Sequence, residues 1–406
     1  MSSAVSLRGI GRPLDDPAGV DRALDELLAA RSEPPVLLAL GEPTHGIEAF
    51  PLLRNELLAH LVERGVPVDR SGDRLLRRLR RRRLRGRGRQ ERSTRCSRPD
   101  SATGSAPCRE TGNSWSGSAR TTPGARRRIG FASTASMRRW STPVHRARDT
   151  PWSGPGTTCP RRCAPRSVHD LDALLGEDAD WTDQAAMFDP AASVGDSDRA
   201  RALRVVADDI AGALRRAAPA LRAADPAGYD RAVAHARTAQ GLLRYHAAMA
   251  HPAPDRIATL LGVRAEMMAE NLLAIVAQER RRGPVLVFAH NAHLQRAQSR
   301  MQAGEDGAQW GSAGAHVGLA LGERYLVVAT DAAPHSEPGT LQRVLTEATT
   351  RRALFPAPAL RAALDLSIVP GPPIVPGHIP LGPADLDGAD AIVFVADTDG
   401  KRHRYW

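Results

Sequence analysis

No apolar run in this chain approaches the roughly 20 residues that a membrane-crossing helix needs. The first residues also lack the basic-then-apolar pattern of a secretory leader. Both absences point to a soluble, cytoplasmic protein with no membrane partner. Cysteine is scarce, with Cys96, Cys108, Cys159 and Cys163 the full set, which is too few for the disulfide framework of a secreted domain. Lysine is scarcer still, occurring only at Lys401, so the net charge of +11 comes from arginine. A charge of that size ordinarily implies nucleic acid or an anionic surface as a partner. Its distribution argues otherwise.

Residues 70–166 hold 26 arginines against five acids, whereas the rest of the chain holds 30 basic and 40 acidic residues. All four cysteines fall in the same stretch, with Trp115, Trp140 and Trp152. The stretch has neither helical nor strand periodicity. Its run at 77–89 reads as an RNA-binding arm, and its cysteines as a zinc site, although their spacing fits no common ribbon or finger. A third reading explains more. Text rich in Arg, Pro, Ser and Gly is what a GC-rich gene yields out of frame. For residues 91–114, the third base of each codon joined to the next two permits TLDAVLATGFSHGFGAVPGNRELV, which has an amphipathic start and a Gly-rich turn. For residues 72–85, starting at the second base permits ETDCFAAFAVDDYV. From about Val168 the printed frame makes sense again, with Leu171, Leu174, Leu175 and Trp181. Three single-base slips of one sign account for this pattern. The segment is expected to be irregular and to bind no nucleic acid.

The remainder reads as an α/β protein. Runs at 35–40, 284–289, 324–330 and 391–396 are short, apolar and bounded by turn residues, as buried parallel strands are. Helical spacing marks 21–31, with Ala23, Leu24, Leu27 and Leu28 on one face, and 47–63, with Ile47, Phe50, Leu57 and Leu61. Residues 198–250 read as two or three long helices broken at Pro219 and Pro226. A further helix covers 256–282, whose Met267 and Met268 read as core filler. Strands separated by helices imply a parallel-type sheet with flanking helices and an inserted helical region at 198–282. One domain over 1–400, interrupted at 70–166, is the expected organisation.

Two polar clusters follow two of these strands. Gly41-Glu42-Pro43-Thr44-His45-Gly46 follows the first, and His290-Asn291-Ala292-His293 the second. The carboxyl ends of strands form the usual ligand crevice of an open α/β sheet. Glu42, three residues from His45, is placed to orient it as a general base. His290 and His293 read as metal ligands, electrophiles or a base–orienter pair. Arg54 falls within the apolar stripe of its helix, either facing Glu42 as an ion partner or reaching to water from the stripe's edge.

These motifs, with Arg54-Asn55-Glu56-Leu57 and Met268-Ala269-Glu270-Asn271-Leu272, resemble the erythromycin esterase family over 35–65 and 168–400. The resemblance implies hydrolysis of the lactone ester of a small-molecule macrolide, with no cofactor and no metal. His45 would be the base that activates water, Glu42 and Arg54 would set its charge and position, and His290 and His293 would steady the oxyanion. A further family glutamate is expected after a strand near 66–72, where this chain has Gly72, so the printed chain is expected to be impaired. The rival chemistry is a metal-dependent hydrolase using Glu42, His45, His290 and His293 as ligands.

Overall fold

The computed structural model describes residues 7, 9–63, 171–301, 307–332 and 336–398. The expected strand near 66–72, the segment 70–166 with its arginine run and cysteines, and Lys401 lie outside the described residues.

Four apolar runs form the centre of a mixed sheet: β2 (Leu37–Glu42), β3 (Val285–His290), β6 (Tyr325–Asp331) and β8 (Ala391–Val395). All pair in parallel, in the order β8-β6-β2-β3. Every residue of β2, β6 and β8 is buried, which explains why these strands read as continuous hydrophobic runs. Alternate residues serve different cores. Leu37 and Ala39 of β2, with Tyr325, Val327 and Ala329 of β6, face one layer, while Leu38, Leu40, Leu326 and Val328 face the other. The sheet is not wholly parallel. β7 (Arg352–Pro356) runs antiparallel to β8, and the two-residue β1 (Arg12–Pro13) antiparallel to β7. On the other side β3 is the edge among the described residues, and its first five residues are only half buried.

One face is covered by α1 (Pro17–Ala29) and α2 (Ala49–Glu63). Asp16 caps α1 by accepting the Gly19 amide at 2.6 Å. Ala23, Leu24, Leu27, Ile47, Phe50, Leu53, Leu57 and Leu61 bury the faces that their spacing indicates. Between β2 and β3 come α3 (Leu171–Leu175), α4 (Asp178–Thr182) and three long helices, α5 (Asp198–Ala224), α6 (Pro226–Ala250) and α7 (Arg256–Glu279). Leu171, Leu175, Trp181, Leu203, Ile210 and Leu242 pack together there. Met268 joins the sheet's core and Met267 packs beside Gly241.

The expected break at Pro219 is absent, because α5 runs straight through it. All buried residues of α5 precede position 212, so the amide lost at Pro219 falls in a half of the helix with no core to disturb. Pro226 does start a new helix, with Asp225 as its cap.

Asp390, just before β8, fastens the amino side of the sheet. Its carboxylate accepts from Arg31 at 2.8 Å, from Arg296 at 2.9 and 2.8 Å, and from the Val327 amide at 2.7 Å. Burial works against its charge, yet these donors, Arg296 foremost, hold it below the ordinary carboxylate range. Asp390→Ala leaves Arg296 without its carboxylate and Arg31 with only the longer, exposed ion pair to Glu323. It should cost about 3–5 kcal/mol in urea unfolding, a loss that Arg31→Ala alone should not reach.

Candidate functional site

Parallel register brings the two polar motifs together. Leu37 pairs with Val285 and the ladder continues in step, so Glu42 and His290 end their strands as neighbours. Gly41 then meets Asn291, whose side-chain oxygen would lie 2.0 Å from a Cβ at position 41. Any side chain at position 41 would force Asn291 to move. The Asn291 amide lies against the main chain of β6, donating to the Thr330 carbonyl at 2.7 Å and accepting from its amide at 3.2 Å. Thr330 in turn donates its hydroxyl to the Gly41 carbonyl at 2.8 Å. Beyond Glu42 the chain turns at once, and Gly46, at φ +91°, takes the left-handed conformation that glycine tolerates best.

Within this turn Glu42 is buried and His45 is not, since 48 % of the His45 side chain remains exposed. Their contact is close, with His45 Nδ1 at 2.7 Å from Glu42 Oε1. The carboxylate accepts the Nδ1 proton and leaves the imidazole's basic lone pair on Nε2. Arg54 stacks over the Phe288 ring at 4.9 Å and donates to Asn55 at 3.2 and 3.0 Å. Burial lowers its pKa and the Glu42 charge opposes that shift, so Arg54 lies within electrostatic reach of the carboxylate without a direct ion pair. It neither bonds Glu42 nor extends fully to water.

The His45 and His290 rings meet edge-on with centroids 5.5 Å apart, and those of His290 and His293 lie 6.3 Å apart. His290 uses both nitrogens on backbone: Nε2–H donates to the Pro43 carbonyl at 2.9 Å and Nδ1 accepts the Ala292 amide at 3.1 Å. Burial, then the nearby His45, push its pKa down to about 4. His293 goes down to about 3, through burial and then the Arg264 charge. Its Nδ1 is buried with no hydrogen-bond partner. Because His290 has no nitrogen to spare, Glu42, His45, His290 and His293 do not fit a metal site. No group of three His, Cys, Asp or Glu among the described residues is placed to hold a metal ion.

The α7 motif has a structural place. Glu270 accepts from Arg244 at 3.2 Å and Asn271 from Arg237 at 3.0 Å, tying α7 to α6. Sequence reading passed over Asn291 and Thr330, and also Asp331 and His378, a buried pair 2.9 Å apart beside the same turn. Asp331 had a signal, since it ends an apolar strand as Glu42 and His290 do. A small pocket opens on the His290 side, walled by Asn291, Gln295, Ile379, Leu381 and Asp385; His45 is not part of its lining.

The sequence model of one family, described as Erythromycin esterase, matches residues 161–361, a span that includes His290 and His293 but not Glu42, His45 or Arg54. No curated protein matches the sequence. Among solved structures, a Bacillus cereus protein is similar at 13 % identity and a TM-score of 0.57, covering 96 % of this chain and 95 % of that one. A mutant of the erythromycin esterase EreC, in an open conformation, is similar at 14 % identity and a TM-score of 0.56, covering 95 % of each chain. These likenesses establish a shared mixed α/β fold.

The three most strongly depressed histidines, His246, His290 and His293, set an acid limit on stability. Each stays uncharged in the fold, while in the unfolded chain each takes a proton at its ordinary value near 6.5. Their contribution is complete above that pH and is lost as pH falls toward about 4. The urea midpoint should therefore drop between pH 7 and pH 5. His246→Phe, remote from the site, should flatten that slope by about one of three protons; an unchanged slope would remove burial as its cause.

Proposed function

Because the chain belongs to the erythromycin esterase family, we propose that the Glu42–His45 pair hydrolyses the lactone ester of a macrolide-class small molecule. The observation that carries this reading is the 2.7 Å contact that turns His45 while leaving half of its surface to solvent. With Nδ1–H given to Glu42, Nε2 takes a proton from water as the water oxygen attacks the ester carbonyl. Glu42 stabilises the imidazolium that forms, and Arg54 offsets the charge of that buried carboxylate. The proton then passes from Nε2 to the departing alkoxide, leaving a carboxylic acid and an alcohol. His293, neutral and only partly buried, suits a hydrogen bond to the developing oxyanion. His290, with both nitrogens engaged, serves to hold the turn.

Residues 70–166 are, in this reading, text from displaced frames within a cytoplasmic hydrolase gene. Two observations favour it. The family match begins at residue 161, close to where the printed frame regains sense. The strand β3, apolar on both faces, is left half-exposed as the edge of the described sheet. The frame-restored text would supply both the strand expected near 66–72 and the glutamate replaced by Gly72. Resequencing codons 60–170 tests this directly, and a clean reading of the printed frame rejects it.

The chain with three single-base corrections should open an erythromycin-type lactone, read by mass spectrometry as the gain of one water. The printed chain should do so poorly. In the corrected chain His45→Ala should lower kcat about 10²–10⁴-fold with the fold retained. An alanine variant that keeps most of the activity takes His45 out of the base role.

A further inference from the structure

Glu42 and His290 end β2 and β3. The next strand in the sheet, β6, ends in Asp331, for which the hydrolytic reading has no use. Its side chain and that of His378 are both fully buried. Asp331 accepts four hydrogen bonds. His378 Nε2–H (2.9 Å) and the Ala332 amide (2.8 Å) reach Oδ1, and Gln342 Nε2–H (2.7 Å) and the Leu381 amide (2.9 Å) reach Oδ2. Only an acceptor-only carboxylate satisfies four donors at once. His378 Nδ1 accepts the Ile374 amide at 3.1 Å, so the proton given to Asp331 is the one on Nε2. Gln342 adds two more ties to the same segment, accepting the Gly371 amide at 2.7 Å and donating to the Leu381 carbonyl at 2.8 Å.

Residues 371–381 are thus anchored at both ends and at His378, and between those anchors they cross the catalytic turn. The Ile379 amide donates to the Pro43 carbonyl at 3.0 Å. That same oxygen takes the His290 Nε2 proton at 2.9 Å. A Cβ at Gly377 would lie 3.9 Å from the Thr44 hydroxyl, and the Gly377 backbone also bears on His290. Ile379, Pro380 and Leu381 form one wall of the pocket whose other side carries His290 and Asn291.

We propose that His378 and Asp331 are positioning residues of the ester-hydrolysing site. They hold residues 371–381 so that the Ile379 amide and His290 share the Pro43 carbonyl. Together with the Ala292 amide on Nδ1, that shared carbonyl fixes the tautomer of His290, and it sets the seat of the Glu42–His45 turn and the wall of the adjoining pocket. The inference rests on the reading of Glu42 and His45 as a hydrolytic pair, but its test does not require turnover.

The test is long-range nitrogen–proton NMR of the full chain labelled at histidine, which reports the ring nitrogen that carries each proton. Wild type should show His290 as a single Nε2–H tautomer. His378→Leu should lose that signature while His246, against Trp181, keeps its own. His378→Gln, which retains an N–H for Asp331, should restore it. Leaving the buried carboxylate short of a donor can unfold the chain, so Ile379→Pro is the second variant. It removes the amide given to Pro43 while leaving the side chains of Asp331 and His378 in place, and should produce the same change at His290 with His246 unmoved. Unaltered His290 signals in Ile379→Pro overturn the proposal. Failure of the frame-corrected chain to hydrolyse a macrolide counts against the esterase reading and leaves this measurement intact.

Discussion

The side chain of Asn291 is the tie on which the site depends. An amide offers a donor and an acceptor in one plane, and here it pairs with the carbonyl and amide of Thr330 much as another strand would. It reaches β6 by passing over Gly41, where a single methyl group would block it. Three parallel strands are thereby locked where their ladders end and their polar residues begin. Buried polar groups of this kind are costly unless fully satisfied. Once satisfied, they admit few alternative arrangements, and a site that must hold a carboxylate and three imidazoles in fixed relation draws on that constraint.

From this tie outward, polarity is graded by burial. Asn291, Thr330, Asp331, Glu42 and His290 are enclosed, His293 is partly so, and His45 alone faces solvent to a large extent. Water is therefore admitted to one imidazole, while the groups behind it are held by backbone and by each other. Burial also keeps His290 and His293 uncharged at neutral pH, so no second imidazolium competes with His45 for Glu42. The long helices α5 and α6 stay apart from this chemistry, whereas α7 brings the Arg264 charge to bear on His293. Their own polar contacts join helix to helix, and α7 meets the sheet through Met268, Ala269 and Val276.

The central sheet was legible because parallel strands buried on both faces read as unbroken apolar runs; the runs at 35–40, 324–330 and 391–396 are such strands, and that at 284–289 is as apolar though only half buried. The two antiparallel edge strands were not. Arg352–Pro356 opens with a charge and closes with a proline, and β1 is two residues long. The hairpin of β4 (Gln298–Met301) and β5 (Ala308–Gly311) is too short and polar to show a period. Pro219 misled because local propensity was weighed without knowing that its half of α5 has no core to serve. The polar strand ends were readable as a class, and Glu42, His45, His290 and His293 were drawn from it, yet what each nitrogen bonds depends on neighbours far along the chain. His378 lies 47 residues beyond the aspartate it meets, within a proline-rich loop that gives no periodic signal.

The central claim is that a histidine held by Glu42 activates water directly, with no covalent intermediate. Single turnover of the frame-corrected chain in heavy-oxygen water tests it most directly. The account predicts that the first acid released carries the heavy oxygen and that the peptide containing Glu42 carries none. Label incorporated into Glu42, with light oxygen in the first product, would contradict it.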